Sequence, residues 1–402
     1  MSSRGPKSDV LIIGAGIVGL SVGIALLQAR PSLKILVIDK EAGPGQHASG
    51  RNSGVLHAGF YYSPDSLKAK FCREGNAELR RLCIENEIPV LECGKVVVAR
   101  NAEEDARLDL LHSRGITNGV ELELHDAVNL EKHEPLARTH GRYLWSPKTA
   151  ISDPRAVTTA MVKRFESLGG KITYSSKVQI SESSGEVCVK GFEAKYVINS
   201  AGAQSDRLAR GLGMAKDYAM VPFMGIYRSV EAKKLPLKRL VYPVPHPINP
   251  FLGVHFTLTL DGKVKIGPTA IPILGREQYS LASGWSLSDI GQALVATNAL
   301  IRGSAHSFSD ILKSELPKLK QSLLVKESAT LVPSARQIKE WKKKPPGIRS
   351  QLVNIKSGRL EQDFIVENFL NSTHILNAVS PGWTSAIPFG RWVATEKVLP
   401  NL

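Results

Sequence analysis

Apolar runs and the residues that interrupt them organise this chain before any chemistry does. Val10-Leu-Ile-Ile13 is a short apolar run broken at Gly14-Ala-Gly16, after which Ile17 to Leu27 stays apolar on nearly every turn. That pattern predicts a strand, a tight turn and a helix to about Arg30. Lys34-Ile-Leu-Val-Ile-Asp39 repeats the run and ends in an acid, which predicts a second strand. Further strands are expected at 174–178 and over Tyr196–Asn199, the latter running into a turn at Ser200-Ala-Gly202. His374-Ile-Leu-Asn-Ala leads into Ser380-Pro-Gly382 and a last helix to about Lys397. Between these pieces, strands at 95–99, 221–230, 240–244, 253–260 and 263–266 and a helix over 287–301 predict a mixed sheet flanked by helices.

The chain has 402 residues, more than one hydrophobic core usually holds, so two domains are expected. Residues 10–27 are uncharged and follow Arg4 and Lys7, as in a signal peptide or membrane anchor, but glycines at 14, 16, 19 and 23 oppose a simple spanning helix. Net charge is 52 − 37 = +15, with clusters at 233–239 and 339–344. Aromatic residues do not interleave with those clusters, so a nucleic-acid partner is not expected. A solvated basic surface, an anionic substrate or peripheral contact with an anionic membrane remains. Cys72, Cys83, Cys93 and Cys188 form no CxxC pair and no zinc spacing, so no metal is expected and the thiols read as small buried side chains.

Gly14-x-Gly16-x-x-Gly19 between the first strand and helix matches a dinucleotide fingerprint. The first glycine allows the turn, the second lets backbone NH groups approach a pyrophosphate, and the third lets helix and strand pack closely. Ala15, Ile17 and Val18 complete the turn at a helix N-terminus that favours phosphate. Asp39, with Lys40 beside it, stands where a carboxylate accepts ribose hydroxyls and repels a 2′-phosphate. The motif does not choose between NAD and FAD.

The stretch that follows, SGRNSGVLHAGFYY, is too rich in glycine for a plain strand, and its glycines do not account for His57 or the Tyr61-Tyr62 pair. With it, the segments RNSGVLHAGFYYSPDSLKAKFC, CGKVVVA, VINSAGAQSD, VPFMGIY, LVYPVPHPINPFLGVHFTLTLDGKVKIGP, GREQY, PGIRSQL and NAVSPGWTSA resemble the L-2-hydroxyglutarate dehydrogenase/oxidase family of the D-amino-acid-oxidase superfamily, in that order and over nearly the whole chain. The resemblance implies an α/β fold of two parts. One is a discontinuous Rossmann-like FAD domain (1–87, 147–215 and 345–402), the other a mixed-sheet α+β substrate domain (88–146 and 216–344). It implies FAD as cofactor, with Ser49, Arg51, Asn52, Ser53, Gly54, Val55, Leu56 and His57 running along the flavin and Val178 near the adenine. Ala201 and Gly202 would make a second backbone approach, and Ser380, Pro381, Gly382, Thr384, Ser385 and Ala386 a third.

The implied reaction is oxidation of a 2-hydroxy acid, L-2-hydroxyglutarate to 2-oxoglutarate, by hydride transfer to flavin N5. Such chemistry needs a carboxylate clamp and a base near working pH. His57 and His255 are the two candidates for the base, and the choice stays open with His255 placed first. Arg349 of PGIRSQL would clamp the α-carboxylate. Tyr62, Tyr227 and Tyr279 would assist it, while Arg276 and Lys68 would meet a second carboxylate. His47 reads as a loop residue. Two positions depart from the family pattern: Met224 replaces the arginine of VPFRG, and Thr269 an asparagine after Gly267-Pro268. The alternatives are an amino-acid or secondary-amine oxidase of the same superfamily, or a non-catalytic FAD-binding assembly factor. A quinone, a partner flavoprotein or oxygen would take the electrons, in the cytoplasm or peripherally on the inner membrane face, or in mitochondria if the chain is a processed form.

Overall fold

The computed structural model describes all residues except 1–6, 247–250, 281–283, 285 and 304, so positions 247–250 of the VPHPINP motif lie outside the described residues. The first apolar run forms β1 (Lys7–Ile13), the helix that follows is α1 (Ile17–Ala29), and β2 spans Ile35–Ile38. β1 is central in a six-stranded sheet ordered Ile365–Phe369, Ser372–Asn377, Glu193–Asn199, β1, β2 and Lys171–Thr173. All its pairings are parallel except the edge pair Ile365–Phe369 with Ser372–Asn377. Val10, Leu11 and Ile12 are wholly buried because both faces are covered, as a parallel sheet requires.

The apolar stretch that mimics a membrane span is therefore the core of this layer. α1 is buried nearly all round between the sheet, the last helix Ala386–Trp392 and the helix Pro154–Ser167. A Cβ on Gly390 would stand 2.4 Å from Ser21 Cβ, and one on Gly23 2.7 Å from the Phe165 ring. Among the described residues no helix is long and apolar enough to cross a membrane.

The strand expected at 174–178 lies earlier, at Lys171–Thr173. After Thr173 the chain leaves the sheet and crosses the end of β2. Ser175 and Ser176 donate their NH groups to the carbonyls of Glu41 and Asp39, and Ser175 sits in left-handed backbone (φ 54°).

A second, larger sheet runs in the order Arg359–Leu360, Lys342–Asn354, Tyr218–Glu231, Lys263–Gly267, His255–Leu258, Leu240–Pro243, β4 (Lys95–Val98), Arg142–Ser146 and Glu123–Asp126. It is mixed, with Leu240–Pro243 parallel to β4 and its other pairings antiparallel. The predicted helix spans Leu287–Gly303. The expected border at 344/345 falls inside the strand Lys342–Asn354, which belongs to this sheet throughout. That long strand and its partner Tyr218–Glu231 shift register between Gly225 and Tyr227. Thr269 closes the irregularity, its Oγ1 accepting from Ile226 N at 3.0 Å and donating to Met224 O at 3.1 Å.

Two elements join the layers. β3 (Val55–Leu56) pairs with Ala150–Ile151, and α2 (Leu67–Glu85) lies across the back of it. Ser66 caps α2 by accepting from Ala69 N, and a stripe of Lys68, Cys72, Asn76, Leu79 and Cys83 is buried at helical spacing. Asn76 Nδ2 lies 3.1 Å from each of three carbonyls, Leu56, His57 and Lys148. Asn76→Ala leaves them without this donor in a buried place, and chemical unfolding is expected to show a loss of about 1–3 kcal/mol with near-native secondary structure.

Candidate active site

The glycine turn is built as the fingerprint requires. Gly14 has φ 112°, and a Cβ there would meet Ser200 O at 2.5 Å; one on Gly19 would meet Gly14 O at 2.2 Å. Asp39 braces the turn, its carboxylate accepting from Ala15 N at 2.7 Å and Glu41 N at 2.9 Å. Ser49 Oγ accepts from Ile17 N at 3.0 Å and lies over Gly16, so the Gly-rich stretch reaches the N-terminus of α1. Val178 and Ala201 both pack against the small core that includes Ile13 of β1 and Ile38 of β2, and Gly202 (φ 55°) opens the turn after Glu193–Asn199. A bare-backbone cradle, a helix N-terminus and an acid at the end of the second strand suit the pyrophosphate and ribose of a dinucleotide.

Residues 49–57 fold back on themselves. Asn52 spends its side chain inside the loop, donating to the Ala48 and Ser49 carbonyls and accepting from Gly54 N. Arg51 donates to Gln46 O and lies 4.1 Å over the Tyr279 ring. Gly54 (φ 75°) has Ser152 O where a Cβ would go, at 2.2 Å. Thr384, from the far end of the chain, then fastens the segment: its hydroxyl accepts from His57 N at 3.2 Å and donates to Val55 O at 3.1 Å. On the other side Cys72 Sγ and Asn76 reach the His57 carbonyl. Ser380 lies beside the Tyr62 phenol, and the Trp383 Nε1 and Ser385 Oγ atoms just before the last helix are buried with no hydrogen-bond partner among the described residues. Polar atoms so placed, beside a backbone already held, suit the acceptor-rich pyrimidine edge of an isoalloxazine ring.

Around His57 the larger sheet brings His255, Tyr227 and Arg349 together with Tyr62 of the segment that follows β3. Each except His255 is partly exposed although surrounded by protein, so they line an internal cleft. Arg349 sits on Lys342–Asn354 in register with Phe223, its guanidinium 5.1 Å over Phe251. Burial lowers the affinity of Arg349 for its proton, and the Tyr227 and Tyr62 phenols offset this in part. Tyr227 is pushed up to about 12 by burial, opposed by Arg349, so it is a hydrogen-bond donor throughout the neutral range.

Both histidines are held neutral. Burial and then the charges of Lys95, His255 and Arg349 take His57 well below its usual value, and burial with Lys95, Arg349 and Lys265 takes His255 down to about 3. His255 Nδ1 donates to Gly253 O at 2.8 Å, which assigns the lone pair to Nε2. His57 Nδ1 is buried with no hydrogen-bond partner among the described residues. A cation that matches a carboxylate, phenol donors and neutral imidazoles are what anion binding and proton acceptance require. Grooves beside Trp341 and beside Ile355 contain none of these residues.

The sequence profile of the FAD-dependent oxidoreductase family matches residues 9–396. The chain belongs to that family. Along its length it is 35% identical over 401 residues to L-2-hydroxyglutarate dehydrogenase of Escherichia coli K12, covering 96% of this chain and 92% of that protein. The mitochondrial enzyme of the same name from Caenorhabditis elegans is 36% identical, covering 98% and 94%, and the human one 33%, covering 96% and 88%. In fold the chain is similar to FAD-bound L-α-glycerophosphate oxidase of Mycoplasma pneumoniae, with TM-score 0.75, 22% identity and 98% and 96% coverage. Glycine oxidase of Geobacillus kaustophilus follows at TM-score 0.69, 19% identity and 96% and 94% coverage. This FAD-dependent oxidoreductase thus has the expected class of fold: a Rossmann-like layer and a mixed-sheet layer of D-amino-acid-oxidase type.

Not every expected residue faces the cleft. Arg276 is committed elsewhere: buried beneath the sheet edge, it ion-pairs with the wholly buried Asp206, donates to Ala203 O and Gln292, and lies 3.5 Å from Asp289. Tyr279 hydrogen-bonds His47 Nδ1 at 2.9 Å in a cluster with Glu41, Glu277 and Lys40, away from Arg349. The Lys40 side chain bonds Glu41, His47 and Glu277, so it ties loops together rather than reaching outward. Cys188 is exposed, unlike the other three cysteines. Met224 is buried, an apolar packing position. Sequence reasoning missed Lys95, Tyr242 and Asn76; only Lys95 left a signal, a cation inside the apolar run of CGKVVVA.

Arg276→Ala tests this reassignment. Burial alone would raise the Asp206 carboxyl, but Arg276 and then Arg210 outweigh it and hold it below the usual carboxylate range. Its stabilisation is therefore present above the unfolded value and lost as pH falls through the folded one. Removing Arg276 leaves the buried Asp206 leaning on the more exposed Arg210, expected to cost about 1–3 kcal/mol. Acid unfolding should move to higher pH, while KM in folded protein stays within about twofold of wild type.

Proposed function

We propose that this chain oxidises L-2-hydroxyglutarate to 2-oxoglutarate, on the support of one arrangement above all: Arg349 beside two neutral histidines at the edge of the dinucleotide layer. The near-full-length likeness to enzymes of that name supports the choice of acid. FAD, when bound, supplies the hydride acceptor.

The chain's own residues do the rest. Arg349 pairs with the α-carboxylate through its planar fork, and the Tyr62 and Tyr227 phenols donate to the same oxygens. His255 offers Nε2 to the hydroxyl proton, its ring aimed by the Nδ1–H bond to Gly253, and its basicity climbs towards working pH as the substrate carboxylates offset the Arg349 and Lys95 charges that depress it. His57 lies behind the flavin-facing backbone as the second imidazole of the pair, its main chain held by Thr384. With Arg276 committed to Asp206, Lys68 is the expected cation left for the distal carboxylate. It is buried on α2 and lowered to about 8 by burial and by Arg349.

Contact with a membrane quinone would be from the surface, since no described helix crosses a bilayer. Of the relatives, the animal ones are named mitochondrial and the E. coli one is not. A mitochondrial or peripheral bacterial setting is the proposal that follows.

An anaerobic panel read by loss of flavin absorbance tests the assignment: L-2-hydroxyglutarate should bleach the flavin, with proline, sarcosine and glycine inert. Bleaching by amines alone sinks the hydroxy-acid reading, and no bleaching by any of them points to an assembly factor. Arg349→Ala is expected to raise KM by about two orders of magnitude, the scale of a lost desolvated charge pair.

A further inference from the structure

Lys95 is 0% exposed, and its Nζ has no hydrogen-bond partner among the described residues. An ammonium so placed is costly unless something offsets its lost hydration. Aromatic faces do so in part: Nζ lies 4.5 Å from the Phe60 ring centroid, 4.5 Å from Tyr61 and 5.0 Å from Tyr242. The Tyr242 ring stacks on His255, centroids 3.8 Å apart, so lysine, phenol and imidazole form one column from β4 to the cleft.

The groups facing this lysine from the packed elements are Cys72 of α2, Cys93 before β4, His57 and Tyr61 after the Gly-rich loop, and Tyr242 and His255 of the sheet. Burial raises the two thiols to about 12 and about 11, so neither supplies a negative charge near neutrality. The cations nearest the two histidines are Lys95 itself, Arg349 and Lys265. A buried cation next to a site of this kind, with no acid to balance it, is completed by an anion that arrives.

We infer that Lys95 is a positioning residue: caged behind Tyr242 and His255, its ammonium draws the dicarboxylate substrate against Arg349 and keeps the His255 ring in its proton-accepting form. This rests on the function proposed above. It has a pH signature, because burial lowers Lys95 to about 7, making it charged at pH 6 and neutral at pH 9. A role in packing alone has no such dependence.

The test is calorimetric binding of glutarate, a five-carbon diacid without a hydroxyl, to FAD-loaded wild type and Lys95→Met. The variant should bind about tenfold more weakly at pH 6 and within about twofold of wild type at pH 9. A ratio equal at both pH values, or no weakening, overturns the inference.

Should Lys95→Met not retain FAD, wild type decides through protons taken up with glutarate at pH 7 in two buffers of different ionisation enthalpy. There Lys68, lowered to about 8, can accept at most about a tenth of a proton, whereas a tenfold effect at Lys95 takes up about four-tenths. Uptake clearly above a tenth supports Lys95; a tenth or less overturns it. The two readings fail separately. Lack of bleaching by L-2-hydroxyglutarate sinks the proposed reaction and leaves the glutarate comparison standing, whereas a pH-independent ratio in protein that still bleaches sinks only Lys95.

Discussion

The hydroxyl of Thr384 is the joint on which the rest of the structure depends. By accepting from His57 N and donating to Val55 O it ties the last segment of the chain to a peptide more than three hundred residues earlier. α2 packs so closely on that joint that a Cβ on Gly75 would stand 2.0 Å from Thr384 O. The main chain of His57 is thus held from two sides, and a side chain on so constrained a backbone has few directions to take. This is the kind of preorganisation that lets a catalytic group meet its partners without reordering at the moment of reaction.

Charge is arranged as unusually as the backbone. Lys68 and Lys95 are buried and Lys265 and Arg349 half-buried around the two histidines, and burial depresses each one. Aromatic faces, not carboxylates, stand against several of them: Phe60, Tyr61 and Tyr242 at Lys95, Tyr227 at Lys265, Phe251 at Arg349. A ring face moderates a cation without neutralising it, so the positive potential remains available to an incoming acid. Where the fold needs a cation only for strength, as at Arg276, it supplies buried Asp206 and saturates it. The contrast separates the cations proposed to bind substrate from a structural one.

That contrast marks where sequence reading ended. β1, the glycine turn, α1, β2 and Asp39 were legible because each rests on local rules: apolar runs, a turn that only glycine permits, and short spacing. The same local logic located the strands around Lys95, Val221, Leu240 and Lys263 and the helix from Leu287 to within a few residues. It failed at 174–178, where Ser175 and Ser176 turn away to bond the carbonyls of Glu41 and Asp39, contacts between segments far apart in the chain.

From the amino-acid order alone came the dinucleotide layer, the cofactor class through family likeness, and the short set of histidines and arginines from which a site had to be drawn. Tertiary structure decided which of them meet. Arg349 and Arg276 are equally cationic in sequence, and only folding sets one beside phenols and imidazoles and the other against Asp206. Lys95 looks like a misplaced polar residue in a strand until three rings from two separate segments close around it. The reason is physical: desolvation and pairing are properties of a neighbourhood, and neighbourhoods here are assembled from residues tens to hundreds of positions apart.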